Sequence, residues 1–338
     1  MKRAVTFMMA ALLAALVQAQ DADLFFAGRA PLLLDPSRTG FGPGGRISFI
    51  HQDQWMQMPG AWRGEQVAAE WCLRNTRKQV DSWLAAGLVA MRDRQAETGS
   101  NRSAIGFLPA IHLRAGERSF LSAGLELRWA NGTIGDAGGA WGSQYQDGAY
   151  RPDLPSGESW ATGRRSWLEA RAGLSFTLKN EAESRFRRER NILVAGIAAD
   201  HLGRLMTGEG GAPTEVIPMR LTAHALAELP HEIWANGLFA VELIGQLQGP
   251  FRTARLNLYA GKHFSNSVLA DHGPAPLGFK AGIGYQLQNA LVVNAALDWG
   301  RATLGMAYGL SLFNTDRQTS GRRTFELMLQ VRLAGAEA

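Results

Sequence analysis

The residues that could do chemistry in this chain are few and poorly spaced for it. The seven histidines are His51, His112, His201, His224, His231, His263 and His272, and no two stand in the His-Glu-x-x-His spacing of a zinc site. His51 and Asp53 lie two apart, on one face of any extended strand, while Asp200 and His201 are adjacent. A nucleophilic hydrolase would need Ser or Thr beside a His that a third group orients. No Gly-x-Ser-x-Gly elbow occurs, and Gly42-Pro43-Gly44-Gly45 is not a phosphate loop. Cys72 is the single cysteine, so an intrachain disulfide is impossible. The expectation is a protein with no catalytic residues, no cofactor and no metal, and hence not an enzyme.

A different chemistry is offered by the stretch Gly132 to Arg165. It carries Trp141, Tyr145, Tyr150 and Trp160 among Gly, Ser, Pro and Asp residues. Connections this long are uncommon unless functional or disordered, and large aromatics dominate binding hot spots. These four are therefore the candidate partner-binding residues. The plainer alternative is that they pack the loop over whatever lies beneath it.

What lies beneath is set by a period of two. From Trp167 to Leu178 the even positions are Leu168, Ala170, Ala172, Leu174, Phe176 and Leu178, and the odd ones include Glu169 and Arg171. Leu121 to Trp129 repeats the pattern against Glu126 and Arg128, and Phe325 to Leu333 against Glu326 and Arg332. Such alternation places one apolar and one polar face on a strand. Fourteen strands are predicted, near 45–53, 66–74, 82–92, 103–114, 119–131, 166–178, 191–200, 215–225, 235–246, 251–263, 277–286, 289–298, 303–314 and 324–333. The charge-dense stretch Glu181 to Arg190 reads as a solvated turn. Alternation alone fits a soluble sandwich or lipocalin-like barrel as well as a transmembrane one. Most of the predicted strands are long enough to cross a bilayer obliquely, and sandwich strands are shorter.

The start of the chain favours the membrane. Lys2 and Arg3 precede an apolar run, Ala4 to Val17, broken by Thr6, and Val17-Gln18-Ala19 is a small-residue cleavage box. A cleaved signal over residues 1–19 is predicted. A net charge of +5 would fall to +3 with Lys2 and Arg3 gone. The pI near 9.6 comes with no basic stripe interleaved with aromatics, so no nucleic-acid partner is expected. After the signal no apolar run reaches the length of a transmembrane helix. A chain of this kind can enter a bilayer only as a closed barrel. The predicted class is all-β, a transmembrane antiparallel outer-membrane β-barrel of about fourteen strands. Its predicted parts are an N-terminal periplasmic segment (20–44), the barrel (45–333) and a short tail (334–338), with outer-membrane lipid around the barrel. In residues 167–178 and 121–129 the Leu and Phe positions are expected to face lipid, and Glu126, Arg128, Glu169 and Arg171 the lumen.

Several segments carry a family resemblance. Trp141 to Glu158 reads WGSQYQDGAYRPDLPSGE; Leu34 to Gly40 resembles an Asn-Pro-Ala-Tyr-Ala-Gly element, with Asp35-Pro36 and Gly40 at the corresponding places. Arg46 to Trp55 (RISFIHQDQW), Val194 to Leu202 (VAGIAADHL) and Phe325 to Leu333 (FELMLQVRL) match further strands in the same order. The first element departs from the pattern in lacking the usual aromatic and alanine, and the chain does not end on an aromatic. Together these resemble the PorP/SprF family of type IX secretion-system membrane proteins of the Bacteroidota. The resemblance implies a fourteen-stranded outer-membrane barrel serving protein secretion or gliding motility, often by holding a secreted surface protein at the cell exterior. It also implies periplasmic components of that machinery as partners. A passive pore, and an outer-membrane enzyme such as a barrel phospholipase, are the other functions the sequence leaves open.

Overall fold

The computed structural model describes residues 24–42, 44–56, 61–73, 81–95, 99–134, 144–146, 149–155, 163–184, 187–207, 218–231, 237–263, 277–287, 290–312 and 323–333. The signal over 1–19 and the tail 334–338 lie outside them. Alternation of side chains becomes a wall because each strand pairs with both neighbours. The strands are β1 (Gly45–Gln54), β2 (Trp62–Cys72), β3 (Ser82–Gln95), β4 (Asn101–Arg114), β5 (Ser119–Ile134), β8 (Gly163–Ser184), β9 (Arg187–Thr207), β10 (Arg220–His231), β11 (Gly237–Gln248), β12 (Phe251–His263), β13 (Gly278–Gln286), β14 (Ala290–Trp299), β15 (Ala302–Ser311) and β16 (Arg323–Leu333). The short β6 (Tyr145–Gln146) and β7 (Ala149–Tyr150) form a separate hairpin within the long loop. All fourteen wall strands are antiparallel to their neighbours, and β1 pairs with β16 from Gly45 opposite Leu333 to Gln54 opposite Thr324. The sheet is thereby a closed barrel with no free edge.

The two faces divide as the alternation predicts. Leu125, Leu127 and Leu174 are each 57% exposed on the outer face, and Leu168 and Phe176 are exposed beside them. Glu126, Arg128, Glu169 and Arg171 are buried inside. The barrel is therefore inverted relative to a soluble protein, with its apolar surface outside. That surface has an upper boundary. On β3, Leu84, Leu88 and Ala90 give way to Arg92 and Arg94, and on β5 Leu121 to Trp129 give way to Asn131 and Thr133.

The pairings also move some strand ends. β10 runs Arg220–His231, beyond the end expected at 225, because Arg220 pairs with both Asp200 and Gln248 and the far half, through Pro230, lies along β11; 215–217 of the expected strand lie outside the described residues. The stretch Glu181–Arg190 is not a turn. β8 and β9 continue past their other neighbours as a two-stranded ribbon to Ser184 opposite Arg187, with Glu181 opposite Arg190 and Glu183 opposite Arg188.

The largest departure is inside the barrel. Residues 24–41 belong to the segment expected in the periplasm, yet they run through the lumen. The segment includes α1 (Pro31–Leu34) and a 3-10 turn (Pro36–Arg38), each opened by a proline, whose missing N–H costs nothing there. Between them Asp35 accepts the Ser37 N–H at 2.8 Å. Leu24, Phe25, Phe26, Ala30 and Leu34 form one apolar cluster with the inward Ile50, Ile244, Val292, Ala307 and Met328. Leu32 forms another with Ala68, Val89 and Leu108. Burying each large side chain contributes about 1.5–3 kcal/mol, which a solvated segment would forgo.

Candidate functional site

The lumen wall carries a ladder of buried ions contributed by successive strands. On β5, Arg128 donates through Nε to Glu126 Oε1 at 2.7 Å. Arg171 of β8 donates through Nη1 to the other Glu126 oxygen, also at 2.7 Å, and through Nε to Asp200 of β9. Arg220 of β10 donates to the second Asp200 oxygen at 2.6 Å. Glu169 accepts from Arg102 of β4 at 3.2 Å and from Arg128 at 3.4 Å, and lies 2.8 Å from His201 Nδ1. Each charge has at least one opposite charge beside it on the wall, which is the condition for tolerating burial.

Asp200 and His201 reach this ladder by a local irregularity. In a regular strand two adjacent residues face opposite sides. Between β8 and β9 the register slips twice, so that Ala172 pairs with Ala199, Ala170 with Leu202 and Glu169 with Arg204, which puts two extra residues in β9. His201 sits there with φ +61, followed by Gly203 at +68. The bulge turns both side chains inward, one to Arg171 and one to Glu169. Adjacency in sequence thus became a shared structural role. The other histidine pair is placed differently. His51 and Asp53 are 3.0 Å apart on the outer face near the end of β1, where Arg63 donates to Asp53 at 2.9 Å. Among the described residues no group of three or more His, Cys, Asp or Glu is placed to hold a metal ion. Cys72 is half-buried at the end of β2.

Residues 24–41 are held on this wall at both mouths and in between. Toward the end of β1, the Glu326 carboxylate accepts the Phe25 and Phe26 N–H groups at 2.7 Å each, steadied by Gln52 Nε2 at 2.8 Å. Midway, Gln330 donates to the Arg29 carbonyl at 3.0 Å. Arg171 turns both Nη atoms to the carbonyls of Leu32, Leu33 and Leu34 at 3.2–3.4 Å. Asp35 Oδ2 lies 2.8 Å from His224 Nε2, and the Ser37 hydroxyl lies 2.7 Å from that of Ser175. At the opposite mouth the Gly40 N–H donates to Glu70 at 2.6 Å. His112 spans the same end: its Nε2 lies 2.8 Å from the Thr39 carbonyl, an acceptor only, so Nε2 carries the proton. Nδ1 then accepts from the Ser122 hydroxyl at 2.7 Å. Phe41, Trp83, His112 and Phe120 pack as an aromatic group there, with centroids 4.9–5.9 Å apart.

The wall makes room for this segment with glycine. A Cβ built on Gly124 would stand 2.3 Å from the Pro36 carbonyl oxygen, and one on Gly173 would overlap an Asp35 oxygen. On Gly87, Gly305 and Gly309 it would press on Leu32, Phe26 and Phe25. These glycines occupy polar-face positions, beside inward Ile50, Val89, Leu108 and Met328 where a solvated lumen would favour polar side chains. The two anomalies together are the sequence signal of a lumen that is filled. Periodicity read strand by strand passes over them.

Of the four aromatics proposed for partner binding, the structure brings two into register. Tyr145 stands opposite Tyr150 in the β6–β7 hairpin. Gln144 beside them donates to the Leu154 carbonyl at 2.8 Å and accepts the Arg151 N–H through its main chain. Trp141 and Trp160 lie outside the described residues.

Comparison with solved structures returns outer-membrane barrels. The Pseudomonas putida toluene transporter TodX is 10% identical, with 89% of this chain and 93% of that chain covered and a TM-score of 0.44. A FadL homologue of Pseudomonas aeruginosa is 8% identical, over 93% and 99% of the two chains, with a TM-score of 0.46. The transport unit of the autotransporter AIDA-I from Escherichia coli is 9% identical, over 91% and 97%, with a TM-score of 0.42. Among curated proteins none matches this sequence. The model of the type IX secretion system membrane protein family PorP/SprF, by contrast, matches residues 17–331. With that match running through the lumen segment and every wall strand, this outer-membrane barrel belongs to the PorP/SprF family.

Proposed function

We propose that this protein serves type IX secretion as a closed outer-membrane anchor that holds a secreted protein at the cell surface. The observation that supports this is the filled lumen: the chain's own residues 24–41 occupy the interior from Glu326 to Glu70. A barrel so occupied offers its ends to partners rather than a passage to solutes. β1 begins and β16 finishes at one end. With that end in the periplasm, the long connection 135–162 between β5 and β8 stands outside the cell. There the Tyr145–Tyr150 hairpin, with Trp141 and Trp160, contributes to holding the partner. The connection 264–277 and the β8–β9 ribbon stand on the periplasmic side, where components of the secretion machinery would meet them. In this reading the protein is not an enzyme. His51, His112, His201 and His224 each face a wall or lumen partner already described.

The experiment is affinity purification from the native outer membrane, coupled to a surface assay. A large secreted protein should co-purify, and deleting residues 138–157 should release it from the cell surface. Recovery of the barrel alone under mild detergent would overturn the anchoring role. Normal surface retention, with the shortened barrel at wild-type level, would rule out the loop as the docking site.

A further inference from the structure

The polar contacts that hold residues 24–41 share a chemistry. Glu326, Gln330, Arg171, His112 and Glu70 all engage the segment's main chain. Asp35 and Ser37 also reach the wall through their own side chains, to His224 and Ser175, and the Arg29 guanidinium lies over the Tyr259 ring. The wall thus holds a compact, turn-rich segment by its backbone N–H and carbonyl groups, beside the apolar seats of Phe25, Phe26 and Leu32. The ions of the Arg171 ladder do not depend on the occupant. Without it Arg171 keeps Glu126 and Asp200, and Asp200 keeps Arg220. Removal would therefore strand no charge in that ladder, where an unpaired ion would be costly.

The tether has the same character. The segment joins β1 through 42–45, where Gly42 is exposed with open space around it and Gly44 has φ +74. A short tether holds a peptide at an effective concentration on the order of millimolar, so modest affinity keeps the site occupied. Fourteen strands enclose more than their own side chains can fill. Here that space is taken by residues 24–41.

We propose that residues 24–41 are a separable plug, bound by the lumen wall as a compact, turn-rich peptide, that seals an aqueous channel through the barrel. This goes beyond the anchoring role and is tested without any secreted partner. Purified barrel is placed in a planar lipid bilayer and its conductance recorded. The full chain is silent. A variant lacking residues 24–41, shown to be folded by faster gel migration unheated than boiled, conducts. A synthetic peptide of residues 24–41 then blocks that conductance, and the same peptide with Asp35→Ala needs about tenfold more for half-block. Should the deletion not assemble, a protease site replacing residues 42–44 lets the complete barrel fold first. Cutting and washing then opens it. In that protein, Ser37→Cys with Ser175→Cys, in a Cys72→Ser background, gives a disulfide that keeps the cut barrel silent until reductant is added. The proposal is overturned if the full chain conducts like the deletion, or if a folded deletion is silent. It is equally overturned if the peptide fails to block, or if the cut, unlinked barrel stays closed after washing.

Discussion

Arg171 is the side chain on which the wall and its occupant meet. It is 1% exposed, shared between Glu126 and Asp200, and aimed at three consecutive carbonyls of the lumen segment. Replacing it with Met takes one of two cationic partners from each of two buried carboxylates, leaving Glu126 with Arg128 and Asp200 with Arg220, and breaking buried pairs in this way costs up to about 3–5 kcal/mol. The expected result is an unfolding midpoint well below wild type in lipid vesicles, followed by tryptophan fluorescence. An unchanged midpoint would show that Glu126 and Asp200 are satisfied without it. Gly124 tests the other half of the contact. A methyl group there meets the Pro36 main chain at 2.3 Å, and main chain cannot swing aside as a long side chain would. Gly124→Ala is expected to loosen residues 24–41 and speed proteolysis near Gly42. In a barrel lacking the segment the same substitution should be neutral, because the atom it strikes is gone.

At the scale of the element, one strand can be read on both faces. On β8, Leu174 lies within the apolar outer surface between Ala123 and Ile197 on the flanking strands, while Ser175 beside it faces Ser37 inside. Leu174→Arg is expected to cost about 2–4 kcal/mol if the site lies near the bilayer midplane, and less toward either boundary. A spin label at Leu174 should report lipid, and a water-exposed signal there would reverse the assigned faces. The β8–β9 ribbon calls for the opposite expectation. Its pairing with β5 ends at Leu178 and with β10 at Ile192, so among the described residues the stretch 181–190 is paired within its own hairpin. Limited proteolysis between 181 and 190 should nick the chain without altering heat-dependent gel migration. Loss of the fast-migrating form would mean the ribbon supports closure of the barrel.

For the whole molecule, closure between β1 and β16 joins chain positions nearly three hundred residues apart. Every wall strand then has two partners, and no free edge remains for detergent to open. The mature protein is accordingly expected in the outer-membrane fraction, resisting detergent until heated. Closure also gives the lumen segment its place: Glu326 of β16 and Gln52 of β1 hold Phe25 and Phe26 only because the seam brings them together. Sealing of the barrel and occupation of its interior are therefore coupled at this seam.

The strand count, the class of fold and the assignment of Leu125, Leu174, Glu126 and Arg171 to their faces were legible in the sequence. Alternation is a local property, since each residue's face follows from its neighbours two positions away. The family resemblance was legible for a similar reason, being carried by short runs such as Arg46 to Trp55. Three features were settled only in three dimensions. The bulge that turns Asp200 and His201 to the same side depends on how β9 pairs with β8, and no pattern along β9 alone announces it. The length of β8 and β9 depends on their mutual register, where composition read as a charged turn. The course of residues 24–41 depends on the closed barrel itself. Their polar grip is mostly main-chain, and main-chain hydrogen bonds leave no mark on which residue types are used. Their seats, the wall glycines and the inward Ile50, Val89 and Met328, are scattered over strands that only the tertiary structure brings around one axis.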